Sequence, residues 1–401
     1  MSAATQAGAA ASAGQGYFDT TSAAASAVSS VPKSATEARL LALDGARGAM
    51  TLMVVISHFF AEVSHGWSAV SFGWIGVIAF FALSGFLVGD IILEKGSRAN
   101  FYAVFYMRRV CRLLPVYFVS LTLIWLALAA LGNGPLADIH GDIPMWSYAT
   151  FTQNFFIASS GEIGAYWLLP TWTLTVEWHF YLLSPVFLIL MPRRHLLKVL
   201  LLLAFVPMLV RAWILWGTDL DPHYALTLLP ARADALLLGV AAAVAYRENR
   251  LSLARYELAL RAAPVLLLGL AFVVRLQDEA GSQLNQVFGF FLVALAAALY
   301  ILSIARGSPE AESMKSKVLT FYARNSYAIY LTHLTVLGLM HALLLGAKPD
   351  VATPVQIAVT IAAFPVATAL GWLLTRYVED PVRAYGRTWK WAKAEPEKIP
   401  A

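Results

Sequence analysis

Charge is what this sequence has little of. Only 13% of its 401 residues are Asp, Glu, Lys or Arg, about half the ~25% of a soluble globular chain. That excludes a conventional soluble enzyme, and 59% hydrophobic content excludes an intrinsically disordered protein. Cysteine is nearly absent. Cys111 stands alone, so no intramolecular disulfide can form, and no Cys or His pair has the spacing of a structural metal site. Residues 1–36 lack a basic segment followed by an apolar core, so a cleaved signal peptide is not expected there. Rich in Ala, Ser, Gly and Thr, they read as a disordered tail, ahead of a membrane domain over 37–387 and a basic tail over 388–401.

What the sequence does hold is apolar runs long enough to cross a bilayer, which takes ~20 residues per helix. Ten are expected: 46–64, 71–93, 112–132, 171–191, 196–216, 225–246, 260–276, 284–305, 320–345 and 354–378. They are about twice the length of barrel strands and do not alternate. The expected fold is therefore all-α, a polytopic membrane protein with about ten transmembrane helices.

Lys and Arg counted over the short loops set an orientation. With both termini cytosolic, the inner loops hold Arg98, Arg108, Arg109, Arg112, Arg193, Arg247, Arg250, Arg255 and Lys315, among others. The outer loops are poor in basic residues but include Asp138, Asp219, Asp221, Asp278 and Glu279, with Arg275 the main exception. The net charge of +5 is thus topological and points to no nucleic-acid partner. The longest outer loop, about 133–170, carries Trp146, Tyr148, Phe151, Phe155, Tyr166 and Trp167. It reads either as an aromatic interfacial belt or as a lid over a pocket.

An ionisable side chain near the bilayer centre costs at least ~2.5–3.5 kcal/mol on insertion scales, so each one is a functional candidate. His58 (span 1), Glu177 and His179 (span 4), Arg211 (span 5), Arg232 and Asp234 (span 6) and His333 (span 9) stand out. At ~1.5 Å per residue, most of them converge on one level in the outer half of the membrane. The plainer alternative is a set of structural ion pairs. Towards the inner face, Arg47 and the Arg108–Arg112 cluster read either as positive-inside anchors or as a phosphate-binding patch.

Six strings now carry a resemblance: LDGARGAMTLMVVISHFF, IAFFALSGFLVGD, FYMRRVCRLLPVY, TWTLTVEWHFYLLSP, NSYAIYLTHLTV and YVEDPVRAYG. In this order, over about residues 41–387, the chain resembles the acyltransferase-3 family of integral membrane acyltransferases. His179 stands where many members carry Gln, and Trp178 where many carry a second Glu, which tells against a mechanism needing two adjacent carboxylates. No esterase-like domain is expected after span 10, unlike in some fused relatives.

The resemblance implies transfer of an acyl group, most often acetyl, from cytosolic acyl-CoA to a carbohydrate hydroxyl. It matches Arg47 and His58 to the family's first-helix pair, Arg109 and Arg112 to its inner Arg-x-x-Arg, and Glu177 to its span-4 carboxylate. On this reading the CoA phosphates sit on Arg109, Arg112 and Arg47, His58 is the general base and Glu177 orients its ring. Arg211, Arg232, Asp234, His333 and Ser84 bind the acceptor or support the helices. The expected partners are acyl-CoA, a carbohydrate or glycoside and the lipid bilayer, in the cytoplasmic membrane of a bacterium, with no resident cofactor and no metal. The rival is a proton-coupled transporter of a small anionic or sugar-like solute, which would commonly show internal repeats that this sequence lacks.

Overall fold

In a computed structural model, residues 35–131, 139–140, 142–248, 256–276 and 283–392 are described. Nearly all of the expected tail 1–36 lies outside them, as do Asp138, Arg250, Arg255, Asp278, Glu279 and residues 393–401. Among the described residues, ten helices are long and apolar enough to cross a membrane, one for each expected span. They are span 1 (Thr36–Phe60), span 2 (Ser68–Lys95), span 3 (Phe101–Leu131), span 4 (Tyr166–Leu190) and span 5 (Arg193–Gly217). Span 6 (His223–Glu248), span 7 (Glu257–Leu276), span 8 (Asn285–Ala305), span 9 (Lys317–Leu345) and span 10 (Pro354–Thr388) complete the bundle. The protein is all-α and multi-pass.

Several helices outrun the hydropathy that announces them. Span 3 begins at Phe101 rather than 112, so Arg108, Arg109 and Arg112 stand on a helix and not in a loop. A hydropathy run ends at the first charges, whereas backbone hydrogen bonding continues wherever the charged heads find partners. Span 1 likewise starts early, and its Arg39 reaches Asp90 on span 2 at 3.5 Å. Asp90 is fully buried and also holds Arg247 of span 6, so one carboxylate ties three spans together at the Arg-rich end. Span 5 breaks between Leu203 and Val206, just ahead of Pro207, whose nitrogen cannot donate. Span 10 passes through a π-helical turn at Thr375–Glu379 before continuing to Thr388.

Spans 2 and 6 pack backbone to backbone. A Cβ on Gly85 would lie 2.0 Å from the Leu236 carbonyl oxygen, and one on Gly239 would lie 2.0 Å from that of Ala82. Only glycine permits so close an approach of two backbones. The main core grows around this pair mostly from spans 1, 2, 4, 6 and 8, with Phe101 and Phe105 of span 3 and Leu196 and Leu200 of span 5 joining it. Span 7 lies at the periphery, with Leu258, Val265, Leu266 and Phe272 more than half exposed, the pattern of a lipid-facing helix.

The aromatic loop after span 3 folds inward. Tyr148, Phe151 and Trp167 are buried, and only Trp146 and Phe155 are largely exposed. The short helices Met145–Ala149 and Gln153–Ser160 carry Trp146, Tyr148 and Phe155, Phe151 lies in the turn between them and Trp167 in the short helix Tyr166–Leu168, and Tyr117 of span 3 donates to the Tyr148 carbonyl at 2.8 Å. A simple belt would leave such rings at the lipid–water boundary; here half of them cap the bundle.

Candidate active site

A pocket with about 730 Å³ of empty space, its open mouth included, lies between spans 1, 2, 3, 4 and 9. Arg47, Ser84, Arg109, Arg112 and Glu177 all line it, so five of the residues singled out in the sequence share one wall system. Tyr181, Ser326, Tyr327 and Tyr330 line it as well and went unnoticed in the sequence. Glu177 accepts hydrogen bonds from Ser84 Oγ and, one helical turn on, from Tyr181 OH at 3.1 Å. The Arg109 guanidinium lies 4.8 Å from the Tyr181 ring centroid, within cation–π range. Arg109 and Arg112 also sit close enough to attract the Glu177 charge. Arg47 is held by Asp44 at 2.7 Å. The result is a polar chamber with a cationic Arg-rich end.

Glu379 belongs to the same end. It is 2% exposed, accepts from Arg383 Nη1 at 3.1 Å and lies within electrostatic reach of Arg112 and Arg47. The π turn that ends at Glu379 shifts the helix register there, a device often found at functional sites. Its motif was legible as a string, but the string gave the carboxylate no role.

The histidines stand further along. His58 Nδ1 lies 2.6 Å from His333 Nε2, and both rings are buried and nearly coplanar, with an interplanar angle of 4°. His58 Nε2 lies 3.3 Å from Glu62 Oε2. The expected partnership of Glu177 with His58 therefore does not form. Glu177 is engaged by Ser84 and Tyr181, while His58 is engaged by His333 and Glu62. Spacing hinted at Glu62, which follows His58 by four residues on the same helical track. Tyr330 connects the two regions: it lines the pocket, accepts from or donates to Thr173 Oγ1 at 2.9 Å, and its ring centroid lies 5.8 Å from that of His333.

The remaining intramembrane charges form a separate cluster. Arg211 donates to Asp234 Oδ2 at 2.7 Å, to the Ala231 carbonyl at 2.5 Å and to the Val287 carbonyl at 3.3 Å. Arg232 packs its guanidinium 4.4 Å from the Phe290 ring centroid and 5.6 Å from that of Trp172. The common level expected for all these groups is thus not a common site. Depth along a helix follows from residue counting, but the direction in which a side chain leaves the helix also decides its neighbours. His179 points elsewhere again, bonding the Phe151 carbonyl at 3.0 Å and so pinning the inward-folded loop.

At the end of the bundle away from the arginines, Asp350 receives the His65 ring at 2.8 Å and the Val351 N–H at 2.7 Å. Burial pushes its carboxyl up, but these donors more than offset that and hold it below the usual range. The contact therefore contributes stability above the ordinary carboxyl pKa and loses it only as pH falls through the lowered one. It staples the loop after span 1 to the one before span 10. Among the described residues no three His, Cys, Asp or Glu side chains gather as a metal-binding set.

A ten-span bundle with an arginine-lined polar chamber beside a buried imidazole defines a class of intramembrane proteins rather than one protein. The comparison with known families narrows it: the family described as "Acyltransferase domain", type 3, matches residues 40–376, and the chain belongs to this acyltransferase-3 family. The chain is 27% identical over 364 residues to the peptidoglycan O-acetyltransferase OatA of Listeria monocytogenes, covering 86% of this chain and 56% of that protein. It is 26% identical over 364 residues to the Bacillus subtilis protein named "Putative peptidoglycan O-acetyltransferase YrhL", covering 86% and 55%. A "Putative O-acetyltransferase" of Staphylococcus aureus (strain COL) is 24% identical over 377 residues, covering 86% and 57%. The chain thus spans little more than half the length of these relatives. No solved structure matches it.

Proposed function

We propose that this chain moves an acyl group, most simply acetyl, from acyl-CoA on the cytosolic side to a hydroxyl of a carbohydrate or glycoside on the other side. The observation that carries this reading is the row from the Arg47–Arg109–Arg112 chamber past Tyr330 to His333 and His58. CoA is anionic at its nucleotide end, and arginines match phosphate oxygens with bidentate geometry. The pantetheine arm would carry the thioester inward from them, towards the histidines. There His58 takes the proton of the acceptor hydroxyl as that oxygen attacks the thioester carbonyl. The carbon–sulfur bond breaks and CoA leaves as the thiolate, which is then protonated on its own side. Relatives named as peptidoglycan O-acetyltransferases support a glycan hydroxyl as acceptor. Glu177 serves on this reading as the counter-charge that holds Ser84, Tyr181 and the arginines in place.

The test is mass spectrometry of surface glycans and secreted glycosides with and without the gene, joined to transfer from labelled acetyl-CoA by the purified protein in lipid nanodiscs. Acylated glycans that persist without the gene, together with no transfer in vitro, would sink the reading. The orientation is checked separately. Reporter fusions after residues 98 and 315 should read as cytosolic, and those after 155 and 220 as external, as the Lys/Arg alternation requires. A swapped pattern would put the arginines on the side that lacks acyl-CoA.

Arg112→Ala should raise the KM for acyl-CoA by about ten- to a hundredfold with kcat nearly unchanged. A charge-assisted contact to phosphate is worth ~1.5–3 kcal/mol, and a contact made equally in ground and transition states appears in KM alone. Added salt should weaken donor use by the wild type more than by the variant. An unchanged KM would return Arg112 to a topological anchor.

A further inference from the structure

Two imidazole nitrogens 2.6 Å apart need one proton between them, and the surroundings decide which ring supplies it. His333 Nδ1 lies 2.8 Å from the Tyr330 carbonyl oxygen and 3.2 Å from that of Ile329, both on its own helix. Carbonyl oxygens only accept, so Nδ1 of His333 carries a proton. In the neutral ring Nε2 is then the bare nitrogen, and His58 Nδ1 must donate to it. That leaves Nε2 as the only basic atom of His58. The backbone of span 9 thereby sets the tautomer of a histidine on span 1.

His58 Nε2, bare in this tautomer, faces Glu62 Oε2 at 3.3 Å, a contact that becomes a hydrogen bond once Nε2 takes up a proton. Glu62 lies just beyond the end of span 1, and its side chain is 41% exposed, whereas His333 is fully buried and His58 is 9% exposed. Its other oxygen accepts from Ser57 Oγ at 2.9 Å, and its main-chain carbonyl accepts from Tyr166 OH at 3.4 Å. Arg275 of span 7 is the cation whose field reaches its carboxylate, and the titratable groups near it among the described residues include His58, Tyr166 and Tyr330. The carboxylate thus joins a buried imidazole to the exposed edge of the bundle.

We infer that His333 is the residue that positions His58, fixing Nε2 as its proton-accepting atom, and that Glu62 receives the proton from Nε2 and delivers it to water beyond span 1. This rests on the acyl-transfer reading above and gives His333 and Glu62 the roles that the sequence offered to Glu177. The proton leaves the acceptor hydroxyl for His58 Nε2 as the oxygen–acyl bond forms and the carbon–sulfur bond breaks. It then moves to a Glu62 carboxylate oxygen and on to bulk water. The sulfur keeps the electron pair of the broken bond and takes its proton from the side where CoA is released.

Nitrogen-15 solid-state NMR of histidine-labelled protein in lipid nanodiscs reads the tautomers without any need for turnover. The expected spectrum has Nδ1 protonated on both His58 and His333, assigned through single-histidine variants. A His58 ring with a bare Nδ1 and a protonated Nε2 would overturn the inference. In the transfer assay, His333→Ala should lower kcat by about 10²- to 10⁴-fold, the range over which a histidine base fails when it is lost or held in the wrong tautomer. His333→Gln, which keeps an acceptor oxygen, should recover part of that loss. Glu62→Gln should lower kcat and remove one ionisation from its pH profile while leaving the KM for acyl-CoA unchanged. Wild-type kcat in both Glu62→Gln and His333→Ala, with His58→Ala inactive, would end this inference and leave the acyl-transfer reading standing. Wild-type protein that transfers nothing would end the acyl-transfer reading, and with it the proton route, while the NMR still decides the tautomers.

Discussion

His58→Ala should lower the rate of acyl transfer by about 10²- to 10⁴-fold, the usual contribution of a positioned general base, with the KM for acyl-CoA near its wild-type value. The split follows from geometry. His58 is outside the lining of the arginine chamber and touches His333 and Glu62, so its loss takes away chemistry and leaves donor binding alone. The substitution also strips His333 Nε2 of its donor, and an unpaired buried acceptor costs ~1–3 kcal/mol. His58→Asn, whose amide can still donate to His333 Nε2, separates the two effects. It should be inserted and folded like the wild type and remain as inactive as the alanine variant. Single-turnover transfer from labelled acetyl-CoA measures the rate, and thermal unfolding in the same nanodiscs measures the fold. Near-wild-type turnover by either variant would end the assignment of His58 as the base.

Asp234→Ala should be the most damaging single change to stability, at about 3–5 kcal/mol, because it leaves a buried cation without its counter-charge. Arg211 is fully buried, and among the described residues Asp234 is its carboxylate partner, at 2.7 Å. The two carbonyls that remain, of Ala231 and Val287, can accept from the guanidinium but cannot neutralise it. Replacing both members at once with apolar residues of similar volume, Arg211→Met with Asp234→Leu, should recover most of the loss, since removing a whole buried pair is often neutral or stabilising. Chemical denaturation of the detergent-solubilised protein gives the numbers. An Asp234→Ala variant as stable as the wild type would mean that Arg211 finds another anion, and that the pair is not what joins span 5 to span 6.

The contrast between these residues shows what the sequence could convey. Ten spans were legible because hydropathy over ~20 residues is a strong signal, and the family strings fell on them in order. Their ends were not, because Arg109 looks like a loop residue until Tyr181 and Phe105 are seen beside it. The chamber was half legible: Arg47, Ser84, Arg109, Arg112 and Glu177 were named, but Tyr181, Tyr327 and Tyr330 blended into an aromatic-rich membrane sequence. Residue counting puts Arg211 and Asp234 on a level with His58, since it gives depth but not which neighbour a side chain meets. Glu62 does not stand out in the sequence because it falls in the last turn of the expected span 46–64, where a carboxylate at the water boundary looks ordinary.

On the acyl-transfer reading, the close approach of Gly85 to the Leu236 carbonyl and of Gly239 to that of Ala82 bears on selectivity for the transferred group. Ser84 faces the chamber while its neighbour Gly85 faces span 6, so the same stretch of span 2 that forms the chamber wall is pressed backbone to backbone against another helix. Such a wall has no room to retreat. If an acyl chain lies against it, a chamber with one such side would act as a ruler for chain length: each additional methylene would have to find space among Phe80, Phe81 and Leu87, and each is worth ~0.8 kcal/mol when it fits. Accepting a longer chain would then require carving those three side chains smaller, since the bundle cannot breathe at that seam.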